Sequence, residues 1–242
     1  MKKFLNIIYF LCVTALLVFL SFISPKSLGS VKCESLEIQV DTEGDLFFVN
    51  AEMVEGLLLE MEDSIVGKTY EDINIYLLEE FVDEHPNIAK AELYLTNKGV
   101  FCADVKQRRP LARVFEKEQS YYLDGELKVF PLSDKYSARV IQVYWSELTE
   151  SRREMLSGVL KLIDKDGFLK AQITSIEFDE NNELIVYPRV GEHKIILGKA
   201  QDLVKKFEKL KIFYRQGLEK IGWDRYSHIN LKFDNQVVCT KR

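Results

Sequence analysis

The chain has 242 residues, of which 47% are hydrophobic and 29% are charged. This is the composition of a folded protein, and it excludes an intrinsically disordered chain. The net charge of −5 gives no basic surface for a nucleic acid, and four scattered cysteines are too few for a disulfide framework.

The N-terminal stretch has the length and composition of a membrane-spanning helix. Residues 4–23 carry no charge, and at helical rise they span about 30 Å, the thickness of the hydrocarbon core of a bilayer. Lys2 and Lys3 precede them, which by the positive-inside rule indicates a cytoplasmic N-terminus. We therefore predict a cytoplasmic tail over 1–3 and a single transmembrane helix over 4–24, with the main domains outside the cytoplasm.

A cleaved signal peptide is the alternative interpretation of the same stretch. Ser27-Leu28-Gly29 would then be the processing site, although it matches the small-x-small pattern imperfectly. The apolar core is also longer than the roughly 7–15 residues of a signal peptide, so we favour the uncleaved anchor.

The next part of the chain predicts a small domain with two helices and three strands. Leu36, Ile38 and Val40 alternate with polar residues, as in a strand with one buried face, and Asn50 is a good N-cap. The predicted elements are a strand over 36–40, helices over 51–61 and 70–83, and strands over 88–96 and 100–107. This order favours a three-stranded sheet with both helices on one face.

A basic segment, Lys106-Gln107-Arg108-Arg109-Pro110, closes the last of these strands. Pro110 lacks an N–H for strand pairing and biases the preceding residue toward an extended backbone. The chain continues as strands over 111–115 and 120–123, and Asp124-Gly125 is typical of a type I′ hairpin turn. We therefore predict a domain boundary here, with domains over 33–109 and 110–242.

The second predicted domain mixes strands with two long helices. The first helix is capped by Thr149 or Ser151 and ends near Asp166-Gly167, and the second spans about 199–221. The predicted strands are 139–144, 173–178, 184–188, 193–197 and 229–233, with 237–239 as an extension of the last. The fold class is therefore α+β, with a second domain rich in antiparallel strands.

The sequence contains no pattern typical of a catalytic, metal or cofactor site. The three histidines, His85, His193 and His228, lie far apart, and none has the spacing of a paired metal ligand. We therefore predict a protein that is not an enzyme and has no cofactor, metal ion or small-molecule substrate.

The acidic pairs of the sequence have ordinary explanations, as a helix end or as solvated surface. Asp164 and Asp166 are typical of a helix end, because a calcium loop needs a longer series of oxygen ligands. Glu79-Glu80 and Asp179-Glu180 are typical of a solvated surface.

Two segments at the predicted domain boundary carry a family pattern. Residues 105–112, VKQRRPLA, match the pattern V-x-E/Q-R-x-P-x-A, and Tyr122-Leu123-Asp124-Gly125 matches an aspartate with a glycine-containing turn. Together with the anchor and the element order, these residues resemble the FtsQ/DivIB family of bacterial cell-division proteins, whose first extracytoplasmic domain is a POTRA domain. The departures are Gln107, where many members have glutamate, and the very short cytoplasmic tail.

The resemblance implies a non-catalytic scaffold at the division septum, anchored in the inner membrane with its main domains in the periplasm. Such proteins link early and late division proteins, and they bind FtsB, and through it FtsL, along the C-terminal strand and the adjoining helix. In this chain the implied partner-binding residues are Lys232, Phe233, Asp234, Asn235, Val237 and Val238. A chain that ends in a strand often leaves that strand at a sheet edge, able to accept a partner strand. Alternation alone leaves open whether Phe233 faces the partner or the core.

A second partner-binding surface, for other divisome components, is predicted at Arg108, Arg109 and Arg113 with the edge of the POTRA sheet. A basic strand end that orients the two domains explains these arginines equally well. The alternative function is that of a POTRA-type periplasmic binding module for outer-membrane protein assembly or secretion, which is expected in tandem units.

Overall fold

The computed structural model describes residues 13–16, 30–42, 45–145 and 149–242. Most of the predicted transmembrane helix over 4–24 lies outside the described residues, as do Lys2, Lys3 and the Ser27-Leu28-Gly29 segment. Among the residues that are described, no helix combines the length and the apolar character needed to cross a membrane.

The chain divides into two compact units. The first comprises Ala51–Glu84, Ala91–Val105 and the described residues up to Asp41. The second comprises Thr42–Asn50, His85–Lys90 and Lys106–Arg242, so it includes two short segments from the N-terminal half.

The first unit has the strand-helix-helix-strand-strand order expected from the sequence. Its elements are β1 (Ser35–Asp41), α1 (Ala51–Met61), α2 (Ile75–Asp83) and most of β2 (Ile88–Leu95) and β3 (Val100–Gln107). The first three residues of β2 and the last two of β3 belong to the second unit. The strands pair in the order β1-β3-β2. Gly99, in the turn between β2 and β3, has φ +79°, and a Cβ there would lie 2.5 Å from the carbonyl oxygen of Lys32, so only glycine fits.

The second predicted helix begins later than its hydrophobic pattern indicated. Tyr70–Asp72 form a 3₁₀ turn instead, in which the Thr69 hydroxyl donates to the Asp72 carboxylate at 2.6 Å. Asn74 then caps α2 by accepting the N–H of Leu77 at 3.2 Å. The prediction of a helix from residue 70 was wrong because these local side-chain bonds compete with the helix start.

The second unit is built on one large mixed sheet. Its nine strands, among the described residues, are β4 (Pro110–Glu116), β5 (Gln119–Asp124), β6 (Val129–Phe130), β7 (Ile141–Trp145), β8 (Ile173–Phe178), β9 (Leu184–Pro188), β10 (Lys194–Gly198), β11 (Tyr226–Asn230) and β12 (Val238–Lys241). They lie in the order β12-β11-β10-β9-β8-β7-β4-β5-β6. Pairs β4–β7, β7–β8 and β10–β11 are parallel, and the other neighbouring pairs are antiparallel.

The helices of the second unit lie in the parallel crossovers. Helices α3 (Glu150–Lys165) and α4 (Gly167–Gln172) connect β7 to β8, and α5 (Leu203–Phe213) lies between β10 and β11. Connections between parallel strands are nearly always right-handed. The connections from β7 to β8 and from β10 to β11 run in the same direction along the sheet, so their helices lie on the same face. Consistent with this, buried residues of all three helices and of the sheet form one hydrophobic core.

Two predicted elements of the second unit were wrong in detail. The strand predicted over 229–233 ends at Asn230, and a turn separates it from β12. The long helix predicted over 199–221 begins at Leu203 and becomes a π-helical segment, Tyr214–Leu218, before a last turn, α6 (Glu219–Ile221). Phe233 therefore lies in a turn and not on a strand.

Candidate partner-binding edge

β12 is the outermost strand of the nine-stranded sheet, and it pairs on its inner side with β11. Arg242 donates its N–H to the carbonyl oxygen of Arg225 on that inner side, at 3.3 Å. Because backbone amides alternate in direction along a strand, those of Cys239 and Lys241 point toward the outer edge. The C-terminal strand thus presents a row of backbone donors and acceptors at a sheet edge.

The turn between β11 and β12 is held in place by two lysines. Lys209 of α5 donates to the carbonyl oxygens of Leu231 and Phe233, at 3.0 and 2.5 Å. Lys232 pairs with Glu183 at 2.7 Å, and its side chain lies over Gly198, where a Cβ would be only 2.7 Å away. The turn is therefore fixed both to the adjoining helix and to the turn between β8 and β9.

The apolar side chains that flank this edge are largely exposed. Phe233 is 45% exposed and Val238 is 42% exposed. Asp234 and Asn235 are also exposed, and Asn235 has φ +58°, which the tight turn requires. Val237 and Cys239 are partly buried against the core. The question that alternation left open is answered, because Phe233 faces outward.

We expect Lys209→Met to loosen this turn without unfolding the unit. The variant keeps the apolar stem of the side chain but removes the donors to two carbonyl groups, so amide hydrogen exchange over 231–237 should accelerate by about tenfold. Lys205→Met is the control, since Lys205 is exposed on the same helix and its ammonium group pairs with Asp202, the residue that precedes the helix. Equal exchange in both variants would contradict the bracing role.

The π-helical segment that follows α5 contacts a buried histidine. His193 is 1% exposed, and its Nε2 lies 2.7 Å from the hydroxyl oxygen of Tyr214, at the start of the π-helical segment. Tyr214 also meets the rings of Phe168 and Trp223 in edge-to-face contacts. Burial lowers the pKa of His193 and raises that of Tyr214, so both are neutral in the folded protein at neutral pH.

Acidification is therefore expected to destabilise the second unit through His193. A histidine with a lowered pKa in the folded state takes up its proton more readily when unfolded, so stability is lost as the pH falls through the unfolded pKa of about 6.5. Denaturant unfolding at pH 7.5 and 5.5 measures this loss, which His193→Gln should reduce. His85, whose pKa burial also lowers, adds to the slope and is replaced in a parallel control. An unchanged slope in His193→Gln would contradict the assignment.

The three arginines predicted as a second surface do not form one cluster. Arg108 is only 8% exposed and pairs with the buried Asp124 at 2.8 Å. It also donates to the carbonyl oxygens of Pro86 and Ile88, each at 2.8 Å. Arg108, predicted as a partner-binding residue, is instead buried, and its guanidinium group bonds to groups inside the second unit.

Arg109 and Arg113 remain at least partly accessible. Arg109 is exposed and forms an ion pair with Asp164 at 3.1 Å. Arg113 donates to the Ser120 hydroxyl at 3.3 Å and lies over the ring of Phe115. Their binding of a partner stays a prediction.

Two residues of the family pattern, Gln107 and Asp124, hold nearby backbone segments in place through side-chain hydrogen bonds. The Gln107 side chain accepts the N–H of Val49 at 2.9 Å and donates to the carbonyl oxygen of Leu46 at 3.0 Å. Asp124 accepts the N–H groups of Glu126 and Lys128. Its side chain builds this turn, and neither Asp124 nor Gly125 has the positive φ of the predicted type I′ turn.

Asp166, predicted to lie at a helix end, and Asp179, interpreted as solvated surface, both have local structural roles. Asp166 caps α4 by accepting the N–H of Leu169 at 3.0 Å, and it pairs with Lys211 of α5. Asp179 accepts the N–H groups of Asn181 and Glu183 and so shapes the turn between β8 and β9. The turn formed by Asp179 had a local signal, since its acceptors bond N–H groups two and four residues away. Lys209 had none, because the carbonyl groups that it reaches lie 22 and 24 residues away in the chain.

Comparison with known proteins identifies the second unit. A family model described as FtsQ/DivIB, C-terminal related, matches residues 109–240, more than half of the chain. The chain belongs to the FtsQ/DivIB-related family. A POTRA-like domain model matches residues 31–106, which contain β1, β2, the helices between them and all but the last residue of β3. No curated protein matches the chain.

Membership of this family confirms the resemblance read from the sequence. It assigns the chain a role in cell division, with divisome proteins as its partners. The α+β fold with a POTRA-like domain and extensive sheets is likewise confirmed.

Proposed function

We propose that this FtsQ/DivIB-related chain is a non-catalytic scaffold of the divisome that binds an FtsB/FtsL-like complex through β12. In this proposal, residues 4–24 anchor it in the inner membrane as a single span. The N-terminus lies in the cytoplasm, the main domains lie in the periplasm, and the protein acts at the division septum. It links early and late division proteins by holding their segments together.

The observation that carries the proposal is the outer edge of β12, with which no other strand of the described residues pairs. An incoming strand bonds to the outward backbone groups of Cys239 and Lys241 and extends the sheet by one strand. Backbone pairing of this kind supplies affinity, while side chains beside the edge select the partner. The sheet is already nine strands wide, and β11 fixes the inner side of β12, so the acceptor is preorganised.

The side chains around the edge suit a partner with apolar and acidic residues. Phe233 and Val238 offer apolar surface at the two ends of the turn, and partly exposed aromatic anchors commonly dominate binding energy. Lys232 lies beside Phe233 and is itself exposed, so an acidic partner residue would compete with Glu183 for it. The braced turn keeps these groups in register with the strand.

Co-purification tests the proposal directly. The full chain is purified with FtsB- and FtsL-like segments from the same cell, alongside Phe233→Ala and Lys232→Glu variants. We expect wild type to retain the segments and Phe233→Ala to bind at least about tenfold more weakly, as for a hot-spot aromatic. Phe47→Ala and Lys161→Glu are matched controls, since Phe47 is 60% exposed and Lys161 is exposed on α3.

The outcomes separate the site from the function. Binding that survives in both controls but is lost in Phe233→Ala supports the edge as the site. Equal binding by Phe233→Ala and Phe47→Ala overturns the role of Phe233. A wild-type chain that retains neither segment overturns the proposed partner.

A further inference from the structure

A second sheet edge, in the POTRA-like unit, is closed by side chains of its own helix. β2 is an outer strand of the three-stranded sheet. The N–H of Leu93 donates to the carboxylate of Glu79 at 2.8 Å, and the N–H of Ala91 donates to that of Asp83. Two successive outward amides of the edge strand are therefore bonded to two carboxylates of α2.

The two carboxylates of α2 have nearly the same spacing as the two amides of β2, because four residues of a helix and two residues of a strand span similar distances. Glu79 and Asp83 are four residues apart on α2, a rise of about 6 Å along the helix axis. Ala91 and Leu93 are two residues apart on β2, which spans about 6.6–6.8 Å. A helix that lies along a strand edge can thus present one carboxylate to each alternate amide.

The orientation of α2 is set by its apolar residues. Leu78 and Val82, which directly precede the two acidic residues, are buried. Burial of those side chains turns Glu79 and Asp83 toward the edge of β2. The interpretation of Glu79-Glu80 as plain solvated surface is therefore wrong for Glu79, which is partly buried, and right for Glu80, which is exposed.

Without these carboxylates, β2 would be a strong template for strand pairing. It is eight residues long and contains no proline, and such edges are sites of unwanted association unless they are protected. Hydrogen bonds from an amide to an ionised carboxylate are about twice as strong as neutral ones, so an incoming strand has to displace a good acceptor.

We propose that Glu79 and Asp83 guard the β2 edge against pairing with β2 of a second copy of this chain. A two-fold antiparallel pairing centred on Ala91 places Lys90 of each copy opposite Glu92 of the other. Opposite charges directly across a strand pair are favourable, so the unguarded strand is complementary to itself. This inference does not depend on the proposed binding at β12.

Removal of both carboxylates tests the guard. The full chain carrying Glu79→Ala and Asp83→Ala is compared with wild type by light scattering over a concentration series, in a mild detergent. We expect self-association of the double alanine variant to be at least tenfold tighter than that of wild type. Glu79→Gln with Asp83→Asn retains a neutral acceptor oxygen at each position, so its self-association should lie between those of wild type and the double alanine variant. Glu80→Ala with Glu84→Ala makes the same charge change at exposed positions and should also behave as wild type.

A charge swap then tests the register. Lys90→Glu in the double alanine background places like charges across the pair and should reverse the association, and adding Glu92→Lys should restore it. A folded double alanine variant that associates no more tightly than wild type overturns the proposal, as does association insensitive to Lys90→Glu. If the double variant fails to fold, Asp83→Ala alone should accelerate exchange of the Ala91 amide, and unchanged exchange also overturns it.

Discussion

Replacing Arg108 with alanine is expected to lower the free energy of unfolding by about 3–5 kcal/mol, the usual cost of breaking a buried ion pair from one side. The substitution removes the cation that faces the buried carboxylate of Asp124. It also leaves the carbonyl oxygens of Pro86 and Ile88 without their donor. Denaturant unfolding at neutral pH measures the effect.

Arg109→Ala is the matched control for this variant. Arg109 is the next residue, but its ion pair with Asp164 is exposed, and exposed pairs contribute less than about 1 kcal/mol. Arg108→Lys should recover only part of the loss, because an ammonium group lacks the planar fork that reaches three separate acceptors. Similar destabilisation by Arg108→Ala and Arg109→Ala would contradict the structural role of Arg108.

Gln107→Glu is expected to cost about 2–3 kcal/mol at neutral pH, even though the family pattern allows glutamate there. The amide of Gln107 donates to Leu46 and accepts from Val49. A carboxylate can accept but cannot donate, so it would face the carbonyl oxygen of Leu46 in a buried site. The residue at this position is thus coupled to the backbone of residues 46–49 in this chain.

The cost of Gln107→Glu should decrease on acidification. Burial and the facing carbonyl raise the pKa of the new carboxyl in the folded state above its unfolded value of about 4.3. Above a pH of about 4.3, the folded variant keeps a proton on this carboxyl that the unfolded variant releases. The variant therefore loses stability relative to wild type as the pH rises above about 4.3, and it regains that stability as the pH falls back toward that value. Unfolding at pH 7 and pH 5 tests this, with Gln216→Glu, at an exposed position, as the control. A cost that does not change with pH would contradict the buried-carboxylate account.

The parts of the fold that were predictable from the sequence are those with a local repeat. Alternation over Leu36–Val40 and the helical stripe of 51–61 each identified the correct element, because a buried face imposes its period on the sequence. The boundary motif was recognisable as a pattern, but its meaning was not. Arg108 was predicted to bind a partner protein, because the groups that it contacts, on Asp124, Pro86 and Ile88, lie 16 to 22 residues away in the chain.

The errors at the candidate site have the same physical origin. Ile229, Leu231 and Phe233 alternate as in a strand, yet the strand ends at Asn230 because Lys209 captures the carbonyl groups of Leu231 and Phe233. Similarly, nothing in Glu79-Glu80 distinguishes the residue that bonds to β2 from its solvated neighbour. Which side chain reaches a backbone group across the fold is decided by tertiary packing.

The most direct test of the central claim is the affinity of an FtsB-like segment for Lys241→Pro compared with Lys241→Ala. Both variants lose the charge, but only proline removes the backbone N–H that points outward from β12. The inward bonds of β12 to β11 do not use that N–H, so both variants should fold. We predict that Lys241→Ala binds the segment nearly as tightly as wild type does. Lys241→Pro should bind it about tenfold more weakly, which is the loss expected when one backbone hydrogen bond to the incoming strand is removed. Equal binding by the two folded variants would contradict strand addition at this edge.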